Sequence, residues 1–252
     1  WLGEITGLDR AVGKLRNTLR ELDIHENTLF WYTSDNGGLK IASSGGRGKK
    51  GSIYQGGLRV PAIIEWPARI KAPRVTKIPG NSSDIYPTLM ELIGMAPQEQ
   101  PKLDGISLVP VIDGKSDARP KPMGFWTFGA SGISTPSAIW MKELLDAQAA
   151  GKEYRDESRL FLDAAKIAES YPEDKFPGHA AWLDWPWKLH HISKRKTGGE
   201  PKLELYNLAD DPMETNDLSA RDPDRVAAMR EELETWLRSV IHSLNGNDYK
   251  LP

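Results

Sequence analysis

The sequence predicts an α/β fold, and three observations carry that expectation. A stripe of helical period opens the chain, a short apolar run ends abruptly in a polar glycine loop, and the best-patterned helix comes last. In the opening segment Ile5, Leu8, Val12, Leu15, Leu19 and Leu22 recur at alternating steps of three and four, with Asp9, Lys14, Arg16 and Glu21 off that stripe. The run Thr28-Leu29-Phe30-Trp31-Tyr32-Thr33 then stops at Ser34-Asp35-Asn36-Gly37-Gly38. A continuous apolar strand of this kind suits burial on both faces, as in a parallel sheet covered by helices.

From Leu39 to Gly57 the chain is rich in Gly, Ser and Lys, which predicts a surface loop. Ala62 to Trp66 is a second buried-strand candidate, closed by Pro67. Ser82-Ser83-Asp84 opens a helix that runs to about Gly94. Pro87 sits near its first turn, where backbone donors lack intrahelical partners anyway. Leu103 to Ile112 returns towards the body, and the polar stretch from Asp113 to Pro122 marks a boundary. Two domains are therefore expected, over residues 1–115 and 120–252.

In the second part Gly124 to Phe128 reads as a strand, and Ala138 to Ala150 and Ser158 to Tyr171 as helices. Ala180 to Ile192 and Leu203 to Leu208 read as two strands joined by a long hairpin loop, Ser193 to Pro201, with Gly198-Gly199 inside it. Asp222 is a good N-cap with Pro223 at the first helical position. Val226, Met229, Leu233, Trp236, Leu237, Val240 and Ile241 then form one stripe.

Composition removes several functional classes. The 252 residues carry 33 Lys plus Arg against 35 Asp plus Glu, a formal charge of −2. Such a balance gives no long-range field towards nucleic acid or an anionic membrane. No apolar run approaches the ~20 residues of a membrane span. The absence of cysteine excludes disulfides, thiolate nucleophiles and Cys-zinc sites. The chain opens on Trp1 without a charged and then apolar leader, so the numbering is expected to begin inside a longer protein.

Two stretches could carry chemistry. Asp35 and Asn36, at the C-terminal end of a strand, offer hard oxygen donors suited to Ca²⁺ or Mg²⁺ where open α/β sheets place their ligands. The same residues also suit a plain Asx-turn followed by two glycines. The second stretch runs from Gly45 to Pro61 and gathers Arg47, Lys49, Lys50 and Arg59 among glycines. It lacks the residue order of a P-loop. It is either a flexible basic loop or an anion site in which backbone and cations approach the ligand closely.

Taken together, these words resemble the sulfatase family. The loop reads Lys50-Gly51-Ser52-Ile53-Tyr54-Gln55-Gly56-Gly57-Leu58-Arg59-Val60-Pro61, shortly after the Asp35-Asn36 corner. Leu8-Asp9 to Leu22, Asn27-Thr28 to Gly38, Ser83-Asp84 to Leu92 and Leu103-Asp104-Gly105-Ile106-Ser107-Leu108 are similar to further family words in the right order. So are Glu204 to Leu208 and Asp211-Pro212-Met213-Glu214-Thr215, so the resemblance spans nearly the whole chain.

The resemblance implies the C-terminal part of an alkaline-phosphatase-like sulfatase domain, followed by a smaller α/β domain with an antiparallel sheet and a C-terminal helix. It implies hydrolysis of sulfate esters, with sulfated carbohydrate as the first substrate class and a periplasmic or secreted setting. One Ca²⁺ would be held by Asp35 and Asn36 together with an early Asp pair that has no counterpart here. A formylglycine nucleophile would come from a Cys/Ser-x-Pro-x-Arg word, which belongs to the missing N-terminal half. Ser134-Thr135-Pro136-Ser137-Ala138 imitates that word, but Ala138 stands where Arg is required. Lys50 matches the catalytic and substrate-binding lysine that contacts the sulfate and its leaving oxygen. His179, beside a glycine and before a strand, is a substrate-contact candidate from the smaller domain, or else a support for the hairpin. His190 and His191 alternate faces of one strand and are assigned no site. A phosphate or phosphonate ester hydrolase of the same superfamily is the rival enzyme, and an inactive glycan-binding fragment the rival outside enzymes.

Overall fold

The computed structural model describes residues 2–96, 100–128, 137–153, 170–194 and 198–248. The chain divides into two compact units. The first comprises residues 1–123 with 183–188 and 206–217; the second comprises 124–182, 189–205 and 218–252.

The first unit opens with α1 (Leu2–Glu21), where the stripe predicted it. None of its residues is buried, and Leu2, Ile5, Leu8 and Leu15 are all exposed. Arg16 anchors it to Glu65 by a hydrogen bond from Nη2 to Oε1 at 2.9 Å and an ion-pair contact between Nε and Oε2 at 2.7 Å. Glu65 ends β2 (Ala62–Glu65), which pairs with β1 (Phe30–Thr33). The pairing is antiparallel, with Trp31 opposite Ile64 and Tyr32 opposite Ile63. This corrects the expectation of parallel strands buried on both faces. An unbroken apolar run says that a strand can be covered twice, not which way its neighbour runs. No residue of β1 or β2 is fully buried, and Ile63 is 60% exposed.

A short helix α2 (Gln55–Leu58) closes the glycine-rich stretch, and α3 (Ile85–Leu92) follows a single 3₁₀ turn at Ser82–Asp84. Asp84 does more than start a helix. Its carboxylate accepts from the backbone of Asn81 and Ile106, both at 2.8 Å, and from Arg119 Nη1 and Nη2 at 2.8 and 2.9 Å. Thr88 Oγ1 accepts from Leu108 N–H at 2.8 Å and so ties α3 to the start of α4 (Val109–Ile112).

The second unit holds most of a four-stranded antiparallel sheet in the order β3 (Met123–Phe128), β4 (Gly178–Asp184), β5 (Trp187–Lys194), β6 (Gly198–Asn207), of which residues 123, 183–184, 187–188 and 206–207 are grouped with the first. The single strand expected over Ala180 to Ile192 is two, because Pro186 lacks the N–H a central ladder needs. β6 also starts earlier than Leu203. Helix α5 (Ser137–Ala149) agrees with expectation, whereas most of the helix predicted over Ser158 to Tyr171 lies outside the described residues. Helix α6 (Pro223–Leu244) is capped by Asp222, whose side chain accepts from Arg225 N–H at 3.2 Å. It buries Met229, Leu233, Leu237 and Ile241, four members of the predicted stripe. Trp182 is buried, with its ring 6.1 Å from that of Trp236 and its Nε1–H donating to Glu232 at 2.8 Å.

His191 is buried on β5 edge-on to Phe176, and its Nδ1 has no hydrogen-bond partner. Burial holds its pKa below the ordinary 6.5, with a backbone hydrogen bond and then the Coulombic pull of Glu234 opposing that shift only in part. The unfolded chain therefore takes the proton first as pH falls. The stability that the neutral ring contributes is complete above about pH 6.5 and is lost on acidification towards the folded value. His191→Leu is expected to flatten the loss of stability between pH 7 and 5, measured by urea unfolding. Equal slopes for both proteins would exclude this account.

Candidate functional site

Asp35 and Asn36 stand two and three residues beyond the end of β1, in the turn where the strand gives way to glycine. Ser34 Oγ donates to the Asn36 carbonyl at 3.0 Å, which closes the turn locally. Asp35 is exposed and Asn36 half-buried. The turn is then stitched to the basic loop by backbone alone. Gly37 N–H donates to Gly57 O at 2.8 Å, and Lys50 N–H donates to Gly38 O at 2.9 Å. The approach is so close that a Cβ on Gly37 would stand 1.9 Å from Gly56 O. Lys49 and Lys50 are both exposed. The Asp-Asn turn and the lysine loop are thus one piece of structure.

The loop is supported from within the same unit. Gly56 N–H donates to Arg47 O at 2.7 Å, and buried Ser44 Oγ lies 2.9–3.0 Å from the carbonyls of Ile41, Gly46 and Gly48. The Arg47 guanidinium stacks 3.9 Å over the Tyr54 ring and donates to Tyr206 Oη at 2.8 Å and to Glu214 O at 3.3 Å. The fully buried Glu214 carboxylate accepts from Gln55 N–H at 2.6 Å and from Lys188 Nζ at 2.8 Å. Lys188 Nζ also donates to Ile53 O at 2.7 Å. Burial pushes the Lys188 ammonium below its usual range, and Glu214 pulls it back.

His179 lies on β4 in the second unit, half-buried, with its Nε2 at 2.8 Å from Nδ1 of buried His190. Asp35, Asn36 and Lys50 belong to the first unit. The Ser134-Thr135-Pro136 word lies outside the described residues. Among the described residues no three His, Cys, Asp or Glu side chains are grouped to hold a metal ion. Asp35 and Asn36 fit Ca²⁺ by donor type, as two hard oxygens out of the six to eight such an ion takes. Sequence reasoning passed over Lys188 and, beyond its place in a word, Glu214. A lysine set between Trp187 and Leu189 inside a strand was the available signal.

An α/β chain presenting an Asp-Asn turn stitched to a lysine-bearing glycine loop agrees with the class that its sequence words suggest. Residues 2–95 match the Sulfatase family, and the chain belongs to that family. It is 38% identical over 114 residues to N-acetylgalactosamine-6-sulfatase of Canis lupus familiaris, a match covering 42% of this chain and 22% of the relative. It is 38% identical over 218 residues to arylsulfatase A of Homo sapiens, covering 84% of this chain and 37% of the relative. Among solved structures, one from work on the metabolism of multiple glycosaminoglycans by Bacteroides thetaiotaomicron superposes with a TM-score of 0.62 at 21% identity, covering 91% of this chain and 43% of that one. The chain therefore spans between about a fifth and two-fifths of these curated relatives.

Proposed function

We propose that this chain is the C-terminal part of a sulfatase that hydrolyses sulfate esters of carbohydrates, with Lys50 as its cationic catalytic residue. The observation that carries the reading is the backbone stitch from Lys50 to Gly38, which fixes the lysine loop beside the Asp35-Asn36 turn. The name of the N-acetylgalactosamine-6-sulfatase relative supports a sulfated sugar as substrate. The exposed apolar residues of α1 and β2 support a preceding polypeptide that covers them and supplies the other half of the site.

In this reading the Lys50 ammonium neutralises negative charge that grows on the ester oxygen as the S–O bond breaks. Asp35 would contribute a carboxylate oxygen and Asn36 an amide oxygen to one Ca²⁺. Bound there, the ion would polarise the sulfate, and formylglycine in the preceding part would supply the nucleophilic oxygen. The strand end and its closed turn fix the backbone that carries these two side chains. His179 is proposed as a substrate contact from the smaller domain, residues 120–252. A periplasmic or secreted setting goes with a polymeric sulfated substrate. Among the described residues no helix is long and apolar enough to cross a membrane.

The test uses the chain joined to its upstream coding sequence and co-expressed with a formylglycine-generating enzyme. Lys50→Ala is expected to lower kcat on an aryl sulfate by about 10²–10³, while residues 1–252 alone show no turnover even with added Ca²⁺. Turnover by the isolated chain that survives both Asp35→Ala and Lys50→Ala would overturn the site. Faster cleavage of a phosphonate monoester than of a sulfate ester would move the assignment to the rival hydrolase. Binding of sulfated glycan with no turnover in the joined protein would leave a binding module.

A further inference from the structure

Two ionisable groups in the first unit are removed from water yet do nothing in the proposed chemistry. Lys188 and Glu214 are both wholly buried, with Nζ and Oε1 2.8 Å apart. Isolated ions of either kind are too costly to bury, so the pair must be held for what it binds. Three of its bonds go to one place. Lys188 Nζ holds Ile53 O at 2.7 Å, Glu214 Oε2 holds Gln55 N–H at 2.6 Å, and Glu214 O holds Arg47 at 3.3 Å. These three residues flank Lys50 on both sides. Glu214 itself adopts a left-handed backbone, φ 53°, a conformation rare for a residue with a side chain. That geometry is retained where its surroundings over-determine it.

We propose that the Lys188–Glu214 pair is a positioning device for the anion-binding loop: it clamps Arg47, Ile53 and Gln55 so that Lys50 keeps its place beside the Asp35-Asn36 turn. The inference rests on the reading of Lys50 as the sulfate-contacting residue. Neither Lys188 nor Glu214 is a catalytic residue; both act through the loop. The physical case is one of reach. The loop is rich in glycine, and each glycine adds conformations that must be removed before a cation can be held to a fraction of an ångström. A neutral anchor would release the loop readily. Charge-assisted bonds to backbone in a dry interior are stronger, and they meet the loop on either side of the exposed lysine.

The test uses the chain 1–252, hydrogen exchange read amide by amide, and inorganic sulfate as the probe. Gln55→Pro removes one clamp bond only. Proline suits the first position of α2, and Tyr54 before it is already extended at ψ 163°. Glu214→Gln weakens the remaining clamp bonds. Both variants are expected to speed exchange at the Lys50 and Gly56 amides about tenfold or more, while the Ile106 and Leu108 amides keep their wild-type rates. The sulfate-induced shift of the Lys50 amide should weaken in step. Unchanged loop exchange, or equal acceleration at every amide, overturns the proposal. If Glu214→Gln does not fold, Gln55→Pro decides alone. A wild-type loop that ignores sulfate, but whose exchange still depends on the clamp, refutes the anion-site reading and keeps the clamp.

Discussion

Asp84→Ala is expected to destabilise the first unit by about 3–5 kcal/mol, the range for breaking a buried ion pair from one side. Asp84 and Arg119 have side-chain exposures of 0% and 3%. The carboxylate accepts from two backbone amides and both terminal nitrogens of the guanidinium. Alanine removes all four acceptor contacts at once. The guanidinium keeps its bonds to Pro79 O and Lys121 O but loses its counter-charge, and the Asn81 and Ile106 amides lose theirs altogether. Each such group costs about 1–3 kcal/mol when left buried without a partner. The sign reverses if the cause is removed with the effect. Asp84→Leu combined with Arg119→Met should recover much of the loss, since a well-packed apolar pair can replace a buried ionic one. Urea unfolding of the three proteins checks this, and a cost below about 1 kcal/mol for Asp84→Ala would mean that water reaches the pair.

Asp84 also marks where sequence reading ran out. Ser82-Ser83-Asp84 reads correctly as a helix start, because a cap acts over three or four residues and is written in adjacent letters. Its partners Ile106 and Arg119 lie 22 and 35 positions away, and no local pattern records them. Helix α6 was legible for the same reason that Asp84's partners were not. Its cap, proline and apolar stripe are all local, and burial of Met229, Leu233, Leu237 and Ile241 follows from period alone. The antiparallel pairing of β1 with β2 was illegible, because Phe30 to Thr33 looks alike whichever way its neighbour runs. At the site, Asp35, Asn36 and Lys50 were singled out by resemblance to the family's words, and the structure adds the backbone stitch between their two loops. The clamp behind them was hidden, since Lys188 and Glu214 meet only when β5 and the turn after β6 come together.

Gly37→Ala should separate the two loops of the candidate site. A Cβ on Gly37 would stand 1.9 Å from Gly56 O, 2.8 Å from Gly56 C and 3.0 Å from Gly57 Cα. All three are backbone atoms, so no side chain can swing aside. To restore contact the chains must part by roughly 1–1.5 Å. That is enough to break the 2.8 Å bond from Gly37 N–H to Gly57 O and to strain the neighbouring bond from Lys50 N–H to Gly38 O. The displacement falls between the Asp35-Asn36 turn and the lysine proposed to face the same sulfate. A misplacement of about 1 Å costs on the order of 10²-fold in rate where reacting groups must be aligned. On the proposed function, the protein joined to its upstream sequence is therefore expected to lose about 10²-fold in kcat/KM on an aryl sulfate. Gly7→Ala is the matched control, for a Cβ there meets nothing within 4 Å and alanine is the better helix former. Hydrogen exchange in the chain 1–252 separates cause from consequence. The Lys50 amide should lose protection in Gly37→Ala and keep it in Gly7→Ala, with the amides of α6 unchanged in both. Full protection of Lys50 in Gly37→Ala would show that the loops do not depend on this contact, and the stitch would then carry no argument for a shared site.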